Sequence, residues 1–237
     1  MEQERLRILI HGANGRMGQA LLRLAAIESQ LDVVAAVSRN VGQRVIEGVP
    51  RFAASELHAV PAFDVAIDFS LPEAFDGILA ACVERGSPLA SGTTGLAVSQ
   101  LDAIDRAASR IGVLWASNFS LGVAVLHDLV ERAASVLPAW DCDIVETHHA
   151  RKLDAPSGTA LTLGAAAEAG GASPRYASVR AGDIVGEHLV QFATAGERIE
   201  LVHRATNRDI FARGALQAAV WLAGRGPGRY RIRDLLG

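Results

Sequence analysis

The chain has 237 residues, of which 50% are hydrophobic and 21% charged, and its formal net charge is −3. This composition is typical of a globular protein with one large or two smaller domains, and it excludes the basic excess of a nucleic-acid-binding protein. No stretch approaches the ~20 apolar residues of a membrane span, and the first residues lack a signal-peptide pattern. We therefore expect a cytoplasmic protein with neither a membrane nor a nucleic-acid partner.

Over residues 1–118, continuous apolar runs alternate with segments of helical periodicity. The runs cover residues 6–10, 31–38, 63–70, 87–95 and 111–120. Strands that are apolar on both faces and alternate with helices belong to parallel sheets covered on both sides. The pattern predicts a Rossmann-like, doubly wound α/β domain that binds a dinucleotide.

The pattern changes after residue 118. Helices are predicted over 120–136 and 157–169, an alternating strand over 141–150, and three short strands within 178–206. Strands that follow one another without helices favour a smaller α+β domain with a mixed sheet, assigned to residues 119–206. Residues 207–237 are predicted to hold one more helix and a short closing segment.

A glycine loop follows the first predicted strand and precedes the first predicted helix. Its residues are Gly12, Ala13, Asn14, Gly15, Arg16, Met17 and Gly18. Glycine at such a turn lets the backbone approach a pyrophosphate, and the helix start offers N–H donors and a positive dipole end. The spacing, G-x-x-G-x-x-G, differs from the usual G-x-G-x-x-G, so a turn that only packs a helix on a strand stays an alternative.

The end of the second strand bears on which dinucleotide is bound. The usual ribose ligand there is acidic, but this sequence reads Ser38-Arg39, and Asp32 lies at the wrong end of the strand. Because a guanidinium pairs well with a phosphate, Arg39 favours NADPH over NADH. A solvated loop arginine is the alternative reading.

Two further strand ends lead to the same expected crevice. "SGTTG" at 91–95 follows the fourth strand and "ASNFS" at 116–120 follows the fifth. Ligands of open α/β sheets lie beyond the carboxyl ends of the strands. Small residues there leave space for a nicotinamide ribose, and Asn118 can hydrogen-bond to it.

The stretch "ETHHARKLDAPSGTA" at 146–160 concentrates titratable side chains before a predicted helix. His148 and His149 are adjacent and point in opposite directions on a strand, so we expect no metal site. Lys152 follows four residues after His148, and Ser157 is a candidate N-cap that leaves Gly158 and Thr159 in the first helical turn. This set suits a small substrate that bears carboxylates and receives a proton at one of its atoms. A capped helix beside inert surface histidines is the alternative.

These segments together resemble the 4-hydroxy-tetrahydrodipicolinate reductase (dihydrodipicolinate reductase) family. The resemblance covers essentially the whole chain and is carried by "GANGRMG", "SGTTG", "ASNFSLGV", "ETHHARKLDAPSGTA", "RAGDIVGEH" and "HRATNRDIFARGAL". It implies NAD(P)H-dependent reduction of a cyclic dicarboxylate in diaminopimelate and lysine biosynthesis. It also implies a homotetramer built through the second domain, with residues 207–237 returning to the first.

The resemblance assigns roles to individual residues. By similarity, His148 is the proton donor and Lys152 a second donor, while His149, Gly158 and Thr159 bind the substrate carboxylates. The implied cofactor contacts are Gly12, Ala13, Asn14, Gly15, Arg16, Met17, Arg39, Gly92, Thr93, Thr94, Ala116, Ser117, Asn118 and Phe119. Ser38 stands where many members carry an acidic residue, which weakens the case for NADH without excluding it.

Two other functions are compatible with parts of the sequence. Another nicotinamide-dependent dehydrogenase would share the first domain but has no need of the His-His-x-x-Lys cluster. A semialdehyde dehydrogenase also needs a nucleophilic cysteine, and neither Cys82 in a predicted helix nor Cys142 in a predicted strand is placed for that role. A non-catalytic NADP sensor would keep the glycine loop and lose the titratable cluster.

Overall fold

The computed structural model describes residues 5–237, which form two compact units. The first falls within Met1–Phe119 and Phe211–Gly237, and the second is Ser120–Ile210. The domain boundaries expected from the sequence, after residues 118 and 206, stay a prediction. No helix of the described part of the chain is both long enough and apolar enough to cross a bilayer.

The first unit is an eight-stranded sheet with helices on both faces. Its strands are β1 (Leu6–His11), β2 (Leu31–Ser38), β3 (Val45–Ile46), β4 (Val49–Ala53), β5 (Val65–Asp68), β6 (Leu89–Ser91), β7 (Gly112–Trp115) and β12 (Gly228–Tyr230). Its helices are α1 (Arg16–Ala25), α2 (Pro72–Arg85), α3 (Val98–Ala107) and α6 (Asp209–Ala223), with short 3₁₀ helices at Ala54–Ala59 and Ile232–Leu236.

The strand order is β12-β7-β6-β5-β1-β2-β4-β3, and every pair is parallel except β3 with β4. The predicted doubly wound parallel sheet is confirmed. The apolar runs of the sequence did not predict β3 and β4, which lie in the segment after β2. Pro50 and Arg51 interrupt the apolar run there, so hydrophobicity alone gave no strand signal.

Two apolar clusters cover the two faces of this sheet. One packs α1 and α6 against β1, β5 and β7, with Ile10, Leu21 and Leu222 completely buried. The other packs α2 and α3 on the opposite face around Phe75, Ile78 and Ile104. Burial of such side chains contributes roughly 1.5–3 kcal/mol each. The carboxyl ends of the parallel strands consequently meet along one edge of a rigid sheet.

The second unit packs two helices against a four-stranded mixed sheet. Its elements are α4 (Leu121–Val136), β8 (Asp141–His148), α5 (Gly158–Ala169), β9 (Pro174–Arg180), β10 (Gly186–Thr194) and β11 (Glu197–Ala205). The order is β11-β10-β8-β9, with β8 and β9 parallel and the other pairs antiparallel. Alternate residues of β8 and β10 are buried under α4 and α5, among them Ile144, Val190 and Phe192. The predicted mixed sheet is confirmed.

Candidate active site

The glycine loop between β1 and α1 closes tightly on the strands beneath it. Gly12 has φ of +80°, and a Cβ there would lie 2.3 Å from the carbonyl oxygen of Phe69. A Cβ on Gly18 would lie 2.3 Å from the carbonyl oxygen of Gly12. The N–H groups of Gly12 and Ala13 both donate to the carbonyl of Val37, at 2.9 and 3.0 Å. Side chains at these glycines would therefore force the loop away from the sheet.

The start of α1 fits a bound pyrophosphate. Gly15 is the N-cap, and no side chain of the described residues caps the helix. The first N–H groups of an α-helix have no acceptor within the helix, and they carry the positive end of its dipole. Asn14, Gly15 and Arg16 are exposed around this end. A glycine cradle next to an uncapped helix start is what a dinucleotide phosphate requires.

A buried carboxylate, Asp68, ties the ends of three parallel strands together. Its oxygens accept from His11 Nδ1 at 2.8 Å and from the hydroxyls of Ser91 and Thr93, each at 2.7 Å. The N–H of Ser70 adds a bond at 3.2 Å. Burial opposes ionisation of Asp68, but the hydrogen bonds from His11, Ser70 and Thr93 outweigh it and lower the pKa of Asp68. This cluster fixes the loops that follow β1, β5 and β6.

The other predicted cofactor contacts also follow strand ends. Gly92 leaves room for the ring of Phe69, because a Cβ there would meet the ring at 2.1 Å. Thr93 is buried with its hydroxyl on Asp68, and Phe119 is buried with its ring 5.3 Å from that of Phe69. Their side chains therefore belong to the interior. Residues after β2, β6 and β7 are at least partly exposed: Arg39, Thr94, Ala116, Ser117 and Asn118.

In the second unit, β8 ends in a buried carboxylate that holds a histidine. His148 Nδ1 lies 2.5 Å from Glu146 Oε2. Arg180, opposite His148 in the parallel pair β8–β9, donates to both oxygens of Glu146 at 2.9 and 2.7 Å. The side chain of Glu146 is 1% exposed and that of His148 is 12% exposed. This geometry fixes the orientation of the imidazole from its Nδ1 side.

The charge of Glu146 is stabilised in the folded state. Burial would raise its pKa, but hydrogen bonds from Arg180, Ser178 and His148 lower the pKa of Glu146 to about 2. Arg180 is held in turn, since its Nη2 also donates to the carbonyl of Asp154 at 2.6 Å. Glu146 is therefore ionised at neutral pH and keeps Nδ1 of His148 as its hydrogen-bond partner. The second ring nitrogen of His148, Nε2, lies beside Gly186, where a Cβ would be 3.0 Å away.

A second histidine, His188, supports this arrangement from β10. It lies opposite Glu146 in the antiparallel pair, and its ring meets that of His148 edge-on with 5.2 Å between centroids. Burial, followed by the charge of His148, lowers the pKa of His188 to about 4. Its Nε2 is 3.1 Å from the hydroxyl of Ser157, which itself accepts from the N–H of Ala160. His188 thus links the histidine pair to the start of α5.

The remaining predicted substrate residues surround the same point of this unit. Ser157 caps α5, as expected, and Gly158 and Thr159 form its first turn. A Cβ on Gly158 would meet nothing within 4 Å, so the space in front of the helix start is open. Lys152 points to Asp154, with Nζ 2.8 Å from both carboxylate oxygens. Burial and the nearby charge of Arg208 lower the pKa of His149 below its ordinary value.

Comparison with known proteins identifies the family. A family model described as the N-terminus of dihydrodipicolinate reductase matches residues 6–119, and one described as its C-terminus matches residues 122–236. The 4-hydroxy-tetrahydrodipicolinate reductase of Stenotrophomonas maltophilia (strain R551-3) is 71% identical, and the alignment covers 100% of both chains. That of Xanthomonas campestris pv. campestris (strain B100) is 67% identical over 98% of both.

The chain belongs to the dihydrodipicolinate reductase family. A solved structure, the dipicolinate-bound dihydrodipicolinate reductase from Paenisporosarcina sp. TG-14, matches the fold with a TM-score of 0.83 at 23% identity, covering 96% of this chain and 97% of that one. The family resemblance seen in the sequence is thereby confirmed.

Sequence reasoning missed several residues that this reductase fold places at its candidate sites. Glu146 could have been found, because residues two apart on a strand share a face and His148 follows it by two. Arg180 and His188 reach Glu146 only through the register of β9 and β10. Asp68 and His11 are likewise opposite each other on β5 and β1. No local pattern reports such pairs.

Proposed function

We propose that this protein converts 4-hydroxy-tetrahydrodipicolinate to tetrahydrodipicolinate. The hydroxylated ring would lose water to give dihydrodipicolinate, which would then take up a hydride from a nicotinamide cofactor and a proton from the protein. The family assignment over both halves of the chain supports the reaction. The observation that carries it is the His148–Glu146–Arg180 cluster next to the open start of α5. It combines a fixed proton donor with an anion site, and reduction of a dicarboxylate imine needs both.

The first unit is proposed to bind the dinucleotide. NAD(P)H supplies a hydride when bound. Gly12 to Met17 would hold the pyrophosphate, and Arg39 would pair with a 2′-phosphate, which favours NADPH over NADH. The residues of the other strand ends would contact the nicotinamide half: Gly92, Thr93, Thr94, Ala116, Ser117, Asn118 and Phe119. Of these, Thr93 and Phe119 would contribute through their backbones, since their side chains are buried.

The second unit is proposed to bind substrate and deliver the proton. His148 donates from Nε2, while Glu146 holds Nδ1 and keeps the ring oriented. The first-turn N–H groups of α5, at Gly158 and Thr159, would bind one carboxylate, and His149 the other. Lys152 is proposed to add a second proton donor once it leaves Asp154. These groups stabilise negative charge that develops on the ring during reduction.

The decisive assay measures NADPH oxidation at 340 nm with and without dicarboxylate generated by the preceding synthase reaction. A dihydrodipicolinate reductase oxidises NADPH only when the dicarboxylate is present. A non-catalytic sensor would bind NADPH without oxidising it. An amino-acid dehydrogenase would consume cofactor with an amino acid or keto acid instead.

The burial of both cysteines argues against a semialdehyde dehydrogenase, which needs a reactive cysteine nucleophile. Both are buried. Burial raises the pKa of Cys142 to about 11 and also raises that of Cys82, so neither forms a thiolate nucleophile at neutral pH.

Lys152→Ala is expected to raise KM for the dicarboxylate and also to lower kcat, because the ammonium both binds and protonates. Asp154→Asn is the matched control, since it frees the ammonium from its partner without removing it. Steady-state kinetics of both variants separates the two roles. If Lys152→Ala changes only one of the two parameters, the double role is wrong.

We also propose that the enzyme acts in the cytoplasm, in diaminopimelate and lysine biosynthesis, as a homotetramer assembled through the sheet of the second unit. Apolar side chains exposed on β9 and β11 support this assembly: Tyr176, Val179, Ile199 and Val202. Sedimentation equilibrium of the full chain tests it, and a monomer at micromolar concentration would contradict it.

A further inference from the structure

Arg51, in the middle of β4, is a buried cation, and two of its three guanidinium nitrogens have no hydrogen-bond partner among residues 5–237. The residue is 8% exposed. Its Nε and Nη1 are buried and form no hydrogen bond with any of residues 5–237. A guanidinium is protonated at physiological pH, and burying a charge without a partner is unfavourable. Such a group indicates an anion that is supplied from outside the chain.

The sheet register places Arg51 beside the end of β2. Arg51 lies opposite Ala36 and Ala53 lies opposite Ser38 in the parallel pair β2–β4. Because side chains alternate along a strand, Arg51 is on the same face of the sheet as Ala36 and Ser38. The N–H of Arg51 also donates to the carbonyl of Arg44 at 2.8 Å, so the segment after β2 runs alongside it. In this fold the end of the second strand receives the adenosine ribose.

The charged groups around this point leave Arg51 without a carboxylate. Glu56 pairs with Arg44 at 2.6 Å and also accepts from the N–H of Ala53 at 2.8 Å. Arg39 follows β2 and is exposed. Arg39 thus directly follows β2, at the point where a 2′-phosphate distinguishes NADPH from NADH, and Arg51 lies on the neighbouring strand, opposite a residue two positions before β2 ends.

We infer that Arg51 is a specificity-determining residue that binds the 2′-phosphate of NADPH together with Arg39. The inference rests on the proposed cofactor function and names a residue that the sequence did not single out. Arginine presents its N–H groups as a rigid fork that matches phosphate oxygens. The 2′-phosphate would supply the anion that the Arg51 guanidinium lacks. Because NADH has no 2′-phosphate, this interaction would favour NADPH.

The test uses binding alone and requires no turnover. The full chain is titrated calorimetrically with adenosine 2′,5′-bisphosphate and with adenosine 5′-diphosphate, which lacks the 2′-phosphate. Arg51→Met keeps an unbranched apolar stem and removes the guanidinium group with its charge. We expect it to weaken binding of the 2′,5′-bisphosphate by roughly tenfold or more, as for loss of a charged hydrogen bond, and to change binding of the 5′-diphosphate less than about twofold.

Two variants control this measurement. Arg44→Met removes an exposed arginine that already has a partner and should alter neither affinity. Arg51→Lys keeps the charge but loses the fork, and it should retain part of the preference even if Arg51→Met folds poorly. Equal weakening of both ligands, or of neither, in Arg51→Met or Arg51→Lys overturns the inference. Wild-type protein that binds neither nucleotide would instead overturn the proposed cofactor function, and the role of Arg51 with it.

Discussion

The two units of this protein each hold a histidine on a buried carboxylate, and the two pairs differ in everything around them. His11 and Asp68 lie 2.8 Å apart at the ends of β1 and β5, with side chains 2% and 0% exposed. His148 and Glu146 lie 2.5 Å apart at the end of β8, and the histidine reaches the surface. The same pair of groups is completely buried in the first unit, whereas in the second unit the histidine is partly exposed to solvent.

The further partners of each carboxylate explain what each pair can do. Asp68 takes neutral donors from Ser91, at the end of β6, and from Ser70 and Thr93, on the loops that follow β5 and β6. Glu146 takes the fork of Arg180, which offsets its charge whatever the protonation state of His148. The first pair therefore fixes the backbone of neighbouring loops, while the second orients the histidine that we propose as the proton donor. A carboxylate–histidine pair is not by itself a sign of catalysis.

The partly exposed pair should give the largest effect. His148→Gln removes the proposed donor and is expected to lower turnover by about 10²–10⁴-fold, as for loss of a general acid. Because the dinucleotide loop lies in the other unit, the Kd for NADPH measured by fluorescence should stay within about twofold. His11→Gln is the matched variant in the buried pair and should retain most of the turnover. Equal turnover in His148→Gln and wild type would remove His148 from the mechanism.

Glu146→Gln tests whether the carboxylate positions the donor. Loss of the charge frees the ring of His148 and leaves Arg180 without its partner, so kcat should fall by roughly 10–100-fold with NADPH affinity unchanged. Glu146→Asp keeps the charge and should recover part of the activity. If Gln and Asp variants lose the same activity and the same stability, Glu146 is structural, like Asp68.

Asp68→Asn should act on stability and cofactor binding. Loss of the charged hydrogen bonds is expected to lower the free energy of unfolding by about 2 kcal/mol and to weaken NADPH binding, because the loops after β5 and β6 lose their anchor. Asp64→Asn is the control: its ion pair with Arg7 is partly exposed and contributes at most about 1 kcal/mol. Urea unfolding and fluorescence titration measure both effects. A variant with wild-type stability but little turnover would reverse the assigned roles.

The smallest effect concerns pH. The pKa of His188 is about 4 in the folded state, below its ordinary value, so the unfolded chain binds the proton more readily between pH 6.5 and 4. The free energy of unfolding therefore has its full value above about pH 6.5 and falls as the pH is lowered through this range. Between pH 6.5 and 5.5 the free energy of unfolding should fall by about 1 kcal/mol from this group.

His188→Gln should flatten that part of the pH dependence, whereas His58→Gln, at an exposed position, should not. Urea unfolding at the two pH values provides the comparison. An unchanged slope in His188→Gln would show that another group titrates there; His203, whose pKa is also lowered by burial, is the first to examine.

The comparison also shows which features a sequence can reveal. The alternation of apolar strands with helices was enough for the parallel sheet, and the glycine pattern was enough for the loop after β1. His148 and Lys152 stood out because several titratable residues are concentrated in one short stretch of a mostly apolar chain. The partners of His148 and His11 come from other strands, so their identity depends on register, which one strand does not encode. Arg51 was hidden because its strand was not predicted.

The return of residues 211–237 to the first unit has a consequence for synthesis. Helix α6 supplies Ala212, Ala215 and Leu222 to the cluster on one face of the sheet, and β12 adds the edge strand beside β7. The ribosome must therefore synthesise residues 211–237 before the first unit can complete its core, whereas Ser120–Ile210 is contiguous and can fold earlier. Removal of residues 211–237 would damage the unit whose first strands are translated earliest.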